Sequence, residues 1–288
     1  MIELRGIGLR GSGRARLEGV DLHLASARVY GLIGPNGAGK TSLLCVIGGL
    51  VRPTSGLVIR PVGEDVRIGA VIGASGLHPG RTVGETLRLA ASLGPGGQRD
   101  VETALGSCGL TAVASRRVGS LSLGMKMRLA VAVALSCDPH ILILDEPMNG
   151  LDPDGIAWVR QVVSQARGRG STVVISSHLL GELAQLIDTA VVLSRGRVRH
   201  IEDMHDQRSI RSSIRVDVPS RLTAALDAAG IVWHEVRDGL VVHAPVGRTA
   251  RLAVESGADI LSARQFVKDL DDVYSRASSG EHLSRVSS

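Results

Sequence analysis

Gly34-Pro35-Asn36-Gly37-Ala38-Gly39-Lys40-Thr41 lies between two apolar stretches, Val29-Tyr30-Gly31-Leu32-Ile33 before it and Ser42-Leu43-Leu44-Cys45-Val46-Ile47 after it. The first reads as a buried strand and the second as an apolar helix. The octet is a complete G-x-x-x-x-G-K-[ST] loop in the strand–loop–helix setting that this motif requires. Glycines at 34, 37 and 39 let the chain wrap so that successive N–H groups point inward at a phosphate chain. The helix N-terminus adds its partial positive charge. Pro35, Asn36, Ala38 and Ser42 complete the candidate binding loop, Lys40 can reach the β- and γ-phosphates, and the Thr41 hydroxyl can hold Mg²⁺. A glycine-rich turn that binds nothing is the competing reading.

Outward from this loop, residues 1–205 alternate strand-like and helix-like segments. Val20–Leu24, Arg67–Ile72, Ile141–Leu144, Thr172–Ser176 and Ala190–Leu193 fit strands, and Val83–Leu93, Met125–Leu135, Ile156–Ala166 and Leu179–Leu186 fit helices. Alternation around a phosphate loop implies an α/β fold, a P-loop NTPase core with a mainly parallel sheet. Residues 83–136 read as successive helices, broken by Gly94-Pro95-Gly96-Gly97, and so as a helical subdomain inserted in the core. Past Asp206 the pattern changes. Ile214–Val218, Ile231–Val236 and Leu240–His243 resemble strands and Arg221–Ala229 and Thr249–Ser256 helices, which predicts a small C-terminal α+β module over 210–275. The Ser-rich residues 276–288 read as a loose tail.

Ile141-Leu142-Ile143-Leu144-Asp145-Glu146-Pro147 is an aliphatic strand ending in two acids. Four consecutive aliphatics indicate a strand covered on both faces, and its C-terminal end is where ligands sit in parallel sheets. Asp145 is a candidate Mg²⁺ ligand, direct or through water, and Glu146 a candidate general base for an attacking water. A strand running into a solvated acidic turn is the bland alternative. In Leu121-Ser122-Leu123-Gly124-Met125, Ser122 is a candidate N-cap for the helix that follows, leaving an anion-friendly helix N-terminus. Taken alone, plain capping explains it as well.

Gly34–Thr41, Leu121–Met125, Ile141–Pro147, Leu151-Asp152 and His178 stand in the order and spacing of an ATP-binding cassette (ABC) ATPase subunit, which the chain resembles over about residues 1–205. The resemblance implies that Leu121–Met125, through Ser122 and Gly124, closes on the γ-phosphate of ATP held by a second copy. It also implies that Asp152 lies in the loop between the two sites and that His178 contacts the γ-phosphate. ATP and Mg²⁺ are the implied ligands. A homodimer or paired cassette acting with separate transmembrane permease subunits is the implied assembly, at the inner face of the cell membrane. The finer similarity is to stand-alone ATPases of bacterial drug, bacteriocin and lantibiotic-type exporters, which share a Ser-Leu-Gly-Met signature and a C-terminal segment resembling Leu270-Asp271-Asp272-Val273-Tyr274.

Three positions depart from that pattern. Gly73 stands where a Gln or an acid usually follows the strand and helps bind Mg²⁺ and water, with Ser75 or His78 as candidate substitutes. No aromatic precedes Tyr30, so the usual adenine-stacking ring near Gly11–Arg14 is missing, which predicts weaker or less base-selective binding. Leu123 replaces the second glycine of the signature, a change that related exporters share.

Composition narrows the function further. Aromatics are 2% of 288 residues, which argues against nucleic-acid binding by base stacking. There is no heptad array, and Cys45, Cys108 and Cys137 lack metal-ligand spacing, so a cassette acting on DNA or ribosomes is disfavoured and no nucleic-acid partner is expected. The thiols read as buried and free, in a reducing compartment. The net charge of +5 fits scattered solvated charge, or contact with an anionic membrane surface. No leader pattern opens the chain and no apolar run approaches about 20 residues, so the chain is not expected to cross a membrane by itself. The reading that follows is an ATP-hydrolysing, energy-coupling exporter subunit. An ATP-binding immunity or sensing protein that works with a permease without sustained pumping is the alternative, kept open by Gly73.

Overall fold

A computed structural model of the chain describes residues 1–11, 14–60, 66–73, 76–93, 101–204, 211–236, 238–266, 270 and 273–275. The chain divides into two compact units, residues 1–202 rejoined at Tyr274 and Ser275, and residues 203–273.

The first unit opens with two long strands, β1 (Ile2–Gly11) and β2 (Arg14–Leu24), paired antiparallel from Ile2↔Leu24 to Gly11↔Arg14. β3 (Val29–Ile33) follows, wholly buried, and leads through the glycine-rich loop into α1 (Lys40–Ile47). β4 (Ser55–Ile59) returns to pair with β1, giving an antiparallel sheet of order β2-β1-β4. β5 (Ile68–Ile72) precedes a helical segment, α2 (Val83–Leu93), α3 (Val101–Ser107) and α4 (Leu123–Leu135). The remainder is β6 (Ile141–Asp145), α5 (Pro153–Gly168), β7 (Thr172–Ser176), α6 (Leu180–Ala184), β8 (Thr189–Ser194) and β9 (Arg197–Asp203). The main sheet has the order β5-β6-β7-β3-β8-β9, and β5, β6, β7, β3 and β8 run parallel. β9 joins β8 by a two-residue turn in which Arg195 and Gly196 both have positive φ, the hairpin geometry that matches strand twist.

α1 contacts β2 as well as β5, β6 and β7, so it is held between the two sheets. Leu43, Leu44, Val46 and Ile47 are all buried there and join the residues of both sheets in one core. Each such side chain contributes about 1.5–3 kcal/mol of transfer free energy, so the helix carrying the phosphate loop is fixed on both sides. The start of β3 is fixed too: the Val29 N–H donates to the buried Asp188 carboxylate at 2.8 Å.

α2, α3 and α4 build a separate apolar cluster around Val83, Leu87, Leu105, Cys108, Leu121 and Leu129. α2 opens on a reciprocal cap: Glu85 N–H donates to the Thr82 hydroxyl, and Thr82 N–H donates to the Glu85 carboxylate at 2.8 Å. That backbone donor holds the Glu85 carboxyl below the usual carboxylate range. The Gly94–Gly97 turn read from the sequence lies outside the described residues.

The second unit runs β10 (Arg211–Val216), α7 (Pro219–Ala228), β11 (Trp233–Val236), β12 (Gly239–Val242), α8 (Val246–Glu255) and β13 (Ile260–Phe266). Its antiparallel sheet has the order β11-β12-β10-β13, a split β-α-β-β-α-β arrangement. Ile214, Leu222, Leu226, Leu240, Val242 and Ala253 form its core.

Four strands went unread in the sequence. β1 has its alternation interrupted by Gly6 and Gly8, and β4 and most of β13 are edge strands whose apolar residues, such as Leu57 and Leu261, face outward. β9 carries charges on an edge. The antiparallel sheet β2-β1-β4 therefore adds to the parallel core that the pattern predicted. The cysteine reading is corrected in part: Cys108 is buried, whereas Cys45, inside α1, and Cys137, just past α4, are half-buried. Asp271, Asp272 and the polar tail 276–288 lie outside the described residues.

Candidate functional site

The C-terminal ends of β3, β6 and β7 converge on one point of the parallel sheet. From β3 the chain passes through Gly34 to Gly39, the N-cap of α1, with φ 107. No other residue fits at two of these positions. A Cβ on Gly34 would collide with the Leu193 carbonyl oxygen, and one on Gly39 would lie 2.8 Å from the Arg16 carbonyl oxygen. Pro35, Asn36 and Gly37 stand exposed on the crest of the loop, while Ala38 is buried and accepts a backbone bond from Gly196. Lys40 is only 8% exposed, and its ammonium donates to the Gly34 carbonyl at 2.7 Å and to Pro35 at 3.4 Å. A buried cation is thereby held against the inner wall of the loop.

Thr41, the second residue of α1, donates its hydroxyl proton to Asp145 Oδ2 at 2.8 Å. Asp145 ends β6, and its other oxygen, Oδ1, accepts from the Ser176 hydroxyl at 2.6 Å. The same Ser176 oxygen accepts the Glu146 N–H at 2.9 Å. Ser176 thus ties the end of β7 to both acids. The sequence reading passed over it, because a serine closing a strand carries no signal of its own. Glu146 has φ 50, a left-handed conformation in a non-glycine residue, which costs on the order of 1–3 kcal/mol. The strain turns its carboxylate out of the strand direction toward His178, whose Nδ1 lies 2.7 Å from Glu146 Oε2 and whose N–H donates to the same oxygen at 3.3 Å. Behind this group, burial first and the Asp145 carboxylate second push the Cys45 thiol up, keeping it protonated.

Lys40, Thr41, Asp145, Glu146 and His178 are therefore assembled in one chain. Hard oxygen donors suit Mg²⁺. The Thr41 hydroxyl and the Asp145 carboxylate, 2.8 Å apart, are two such donors side by side. A cleft of about 420 Å³ opens beside the loop, lined on one side by Lys40, Thr41 and Ser42 and on the other by Gly11, Arg14 and Arg16.

Ser122, Gly124 and Asp152 are not brought to that cleft. Ser122 is the N-cap of α4 and accepts from Met125 N–H at 3.2 Å. Asp152 is the N-cap of α5 and accepts from Gly155 N–H at 2.8 Å. The two helix starts lie side by side: Leu151 packs against Gly124, and the half-exposed Leu123 against Gly150. Asp152→Ala is accordingly expected to cost about 1 kcal/mol through the lost cap and to lower Tm by about 2–4 °C, measurable by thermal unfolding. An unchanged Tm with lost turnover would assign the carboxylate to the nucleotide reaction instead. Just past β5, whose last residue Ile72 pairs with Asp145, Gly73 is exposed with φ 69. Of its candidate substitutes, Ser75 lies outside the described residues. The His78 ring accepts Gly80 N–H at 3.2 Å and so is used within its own turn.

Known proteins resemble this chain. The ABC transporter family model matches residues 17–149. The lantibiotic transport ATP-binding protein SrtF of Streptococcus pyogenes is 36% identical over 190 residues, 64% of this chain and 83% of its own. The bacitracin transport ATP-binding protein BcrA of Bacillus licheniformis is 32% identical over 275 residues, 88% of this chain and 90% of its own, so the similarity reaches into the second unit. Among solved structures, a dimeric bacterial ABC transporter cassette superposes with a TM-score of 0.63 at 25% identity, over 70% of this chain and 98% of that one. With a complete phosphate loop, two acids and a histidine gathered at the C-terminal ends of the inner strands, and relatives of this identity and coverage, the chain belongs to the ATP-binding ATPase subunits of ABC transporters.

Proposed function

We propose that the chain is the ATP-hydrolysing, energy-coupling subunit of an exporter of drugs, antibiotics or peptides. It would act as a pair of cassettes at the inner face of the cell membrane with separate permease subunits. One observation carries the catalytic part: the Glu146 carboxylate, turned by a strained backbone, meets His178 at 2.7 Å within the group where Thr41 meets Asp145. Lys40 and the loop N–H groups receive the β- and γ-phosphates. Thr41 and Asp145 would hold Mg²⁺, which supplies charge neutralisation at the phosphates when bound. Glu146 accepts the proton of the water that attacks the γ-phosphorus, and ADP leaves as the bond to its β-phosphate oxygen breaks. His178 orients Glu146 and is placed to reach the γ-phosphate.

Ser122 and Gly124, outside the cleft of their own chain, are assigned to the nucleotide of the second copy. The dimeric state of the structural relative supports this assignment. Lantibiotic and bacitracin transport by SrtF and BcrA supports an antimicrobial peptide as cargo. The membrane location through a permease is supported by the transport role of these relatives. Among the described residues no helix is long and apolar enough to cross a membrane.

Mg²⁺-dependent ATP hydrolysis by the purified chain, alone and with its membrane subunits, tests the reading. Turnover that requires Mg²⁺ and rises with the membrane subunits is expected. Absence of turnover in both conditions would instead favour an immunity or sensing protein that binds ATP without pumping, the reading to which the side-chain-free Gly73 gives support. In that case a hydrolysis-dead variant would still confer full tolerance.

A further inference from the structure

The cleft beside the phosphate loop has two walls. One is Lys40, Thr41 and the loop glycines, where phosphates belong. The other is the end of β1 and the beginning of β2, with Gly11, Arg14, Ala15 and Arg16. A nucleoside triphosphate whose phosphates reach Lys40 must lay its ribose and base along this second wall. Among the described residues no aromatic side chain and no carboxylate lines the cleft. The described part of the wall that meets the base therefore offers glycine, alanine and two arginines.

Of these, Arg16 is held in place from both ends. Its side chain lies across Gly11: a Cβ at position 11 would sit 2.8 Å from Arg16 Nε and 3.1 Å from Arg16 Cζ. Its own carbonyl abuts Gly39 and Gly196, the first at the N-cap of α1 and the second bonded to Ala38. The guanidinium thus occupies the space that a side chain at position 11 would need, and its backbone carbonyl packs against the glycines beside the phosphate loop. Guanidinium planes stack on nucleobases as aromatic rings do, with an added cation–π attraction.

We propose that Arg16 is the base platform of this site. Its guanidinium stacks on the ring of the bound nucleotide, and Gly11 is a glycine because any side chain there would lift Arg16 out of position. A cationic plane stacks on any purine, so ATP and GTP bind with similar affinity. The inference rests on the nucleotide reading of the cleft.

The test measures equilibrium affinities of ATP, GTP and inorganic tripolyphosphate for the full chain carrying Glu146→Gln, so that turnover does not interfere. Arg16→Ala is expected to weaken ATP and GTP by about 5- to 100-fold while leaving tripolyphosphate unchanged. Gly11→Leu is expected to do the same, and Arg16→Tyr to restore nucleotide affinity. Retained tripolyphosphate binding shows that the variants are folded. Equal weakening of all three ligands by Arg16→Ala would overturn the proposal in favour of plain charge attraction. No weakening, or a strong preference of the parent for ATP over GTP, would overturn it as well. Failure of the parent to bind any of the three would refute the nucleotide reading itself.

Discussion

Glu146→Gln is expected to lower the rate of ATP hydrolysis by about 10²–10⁴-fold while leaving ATP binding intact. The amide keeps the shape of the carboxylate and can still meet His178, but it cannot take a proton from water. Glu146 makes no direct bond to Thr41 or Lys40; its N–H donates to Ser176, which in turn donates to Asp145. Binding and proton transfer are therefore carried by different atoms, and one substitution separates them. Steady-state phosphate release beside equilibrium ATP binding reads both. A Glu146→Gln chain that turns over at the parental rate would remove Glu146 from the reaction and leave His178 as the group to examine. His178→Ala is the complementary change. It removes the ring at 2.7 Å that orients the carboxylate, so the expected loss is in kcat with KM nearly constant.

Lys40→Ala is expected to have the largest effect on binding. The ammonium is 8% exposed and is the buried cation on the phosphate side of the cleft. Each charge-assisted hydrogen bond to a phosphate oxygen contributes about 1.5–3 kcal/mol, and two such bonds would make ATP affinity fall by about 10²–10⁴-fold. Removing Lys40 also leaves the Gly34 carbonyl without its donor at 2.7 Å. Lys40→Arg and Lys40→Met separate the two consequences. A parental Kd in Lys40→Ala, measured by calorimetry, would show that the phosphates do not sit at this loop.

The local grouping at the core of the candidate site was legible in the sequence for a physical reason. Gly34, Gly37 and Gly39 are set by backbone conformation, and Lys40 and Thr41 follow immediately on a helix, so their relative positions are local. Asp145 and Glu146 were legible because a short, partly β-branched aliphatic run beside a phosphate loop reads as a buried strand, and strands of a parallel sheet present their C-terminal ends together. The second unit was legible as mixed α and β from its short periodic segments. Its last strand, β13, was not, because an edge strand exposes what a pattern search expects to find inside, as Ile260 and Leu261 do.

The tertiary structure decided what spacing could not reach. Ser176 lies 31 residues from Asp145 and gains its role only when β7 pairs with β6. The left-handed turn at Glu146 is a consequence of that junction and has no signature in residue type. Arg16 is one of many arginines in the sequence; it becomes part of a cleft because β2 folds back against α1 and Gly11 leaves space for it. Ser122, read from the sequence as an N-cap, and Asp152, read as part of a loop between two sites, cap two helices whose side-by-side placement only the packing of Leu151 on Gly124 reveals. Local chemistry was fixed by the order of residues along the chain. The convergence of distant side chains was fixed by strand order and by the burial of α1 between two sheets, because contacts far apart in sequence arise only when the core closes.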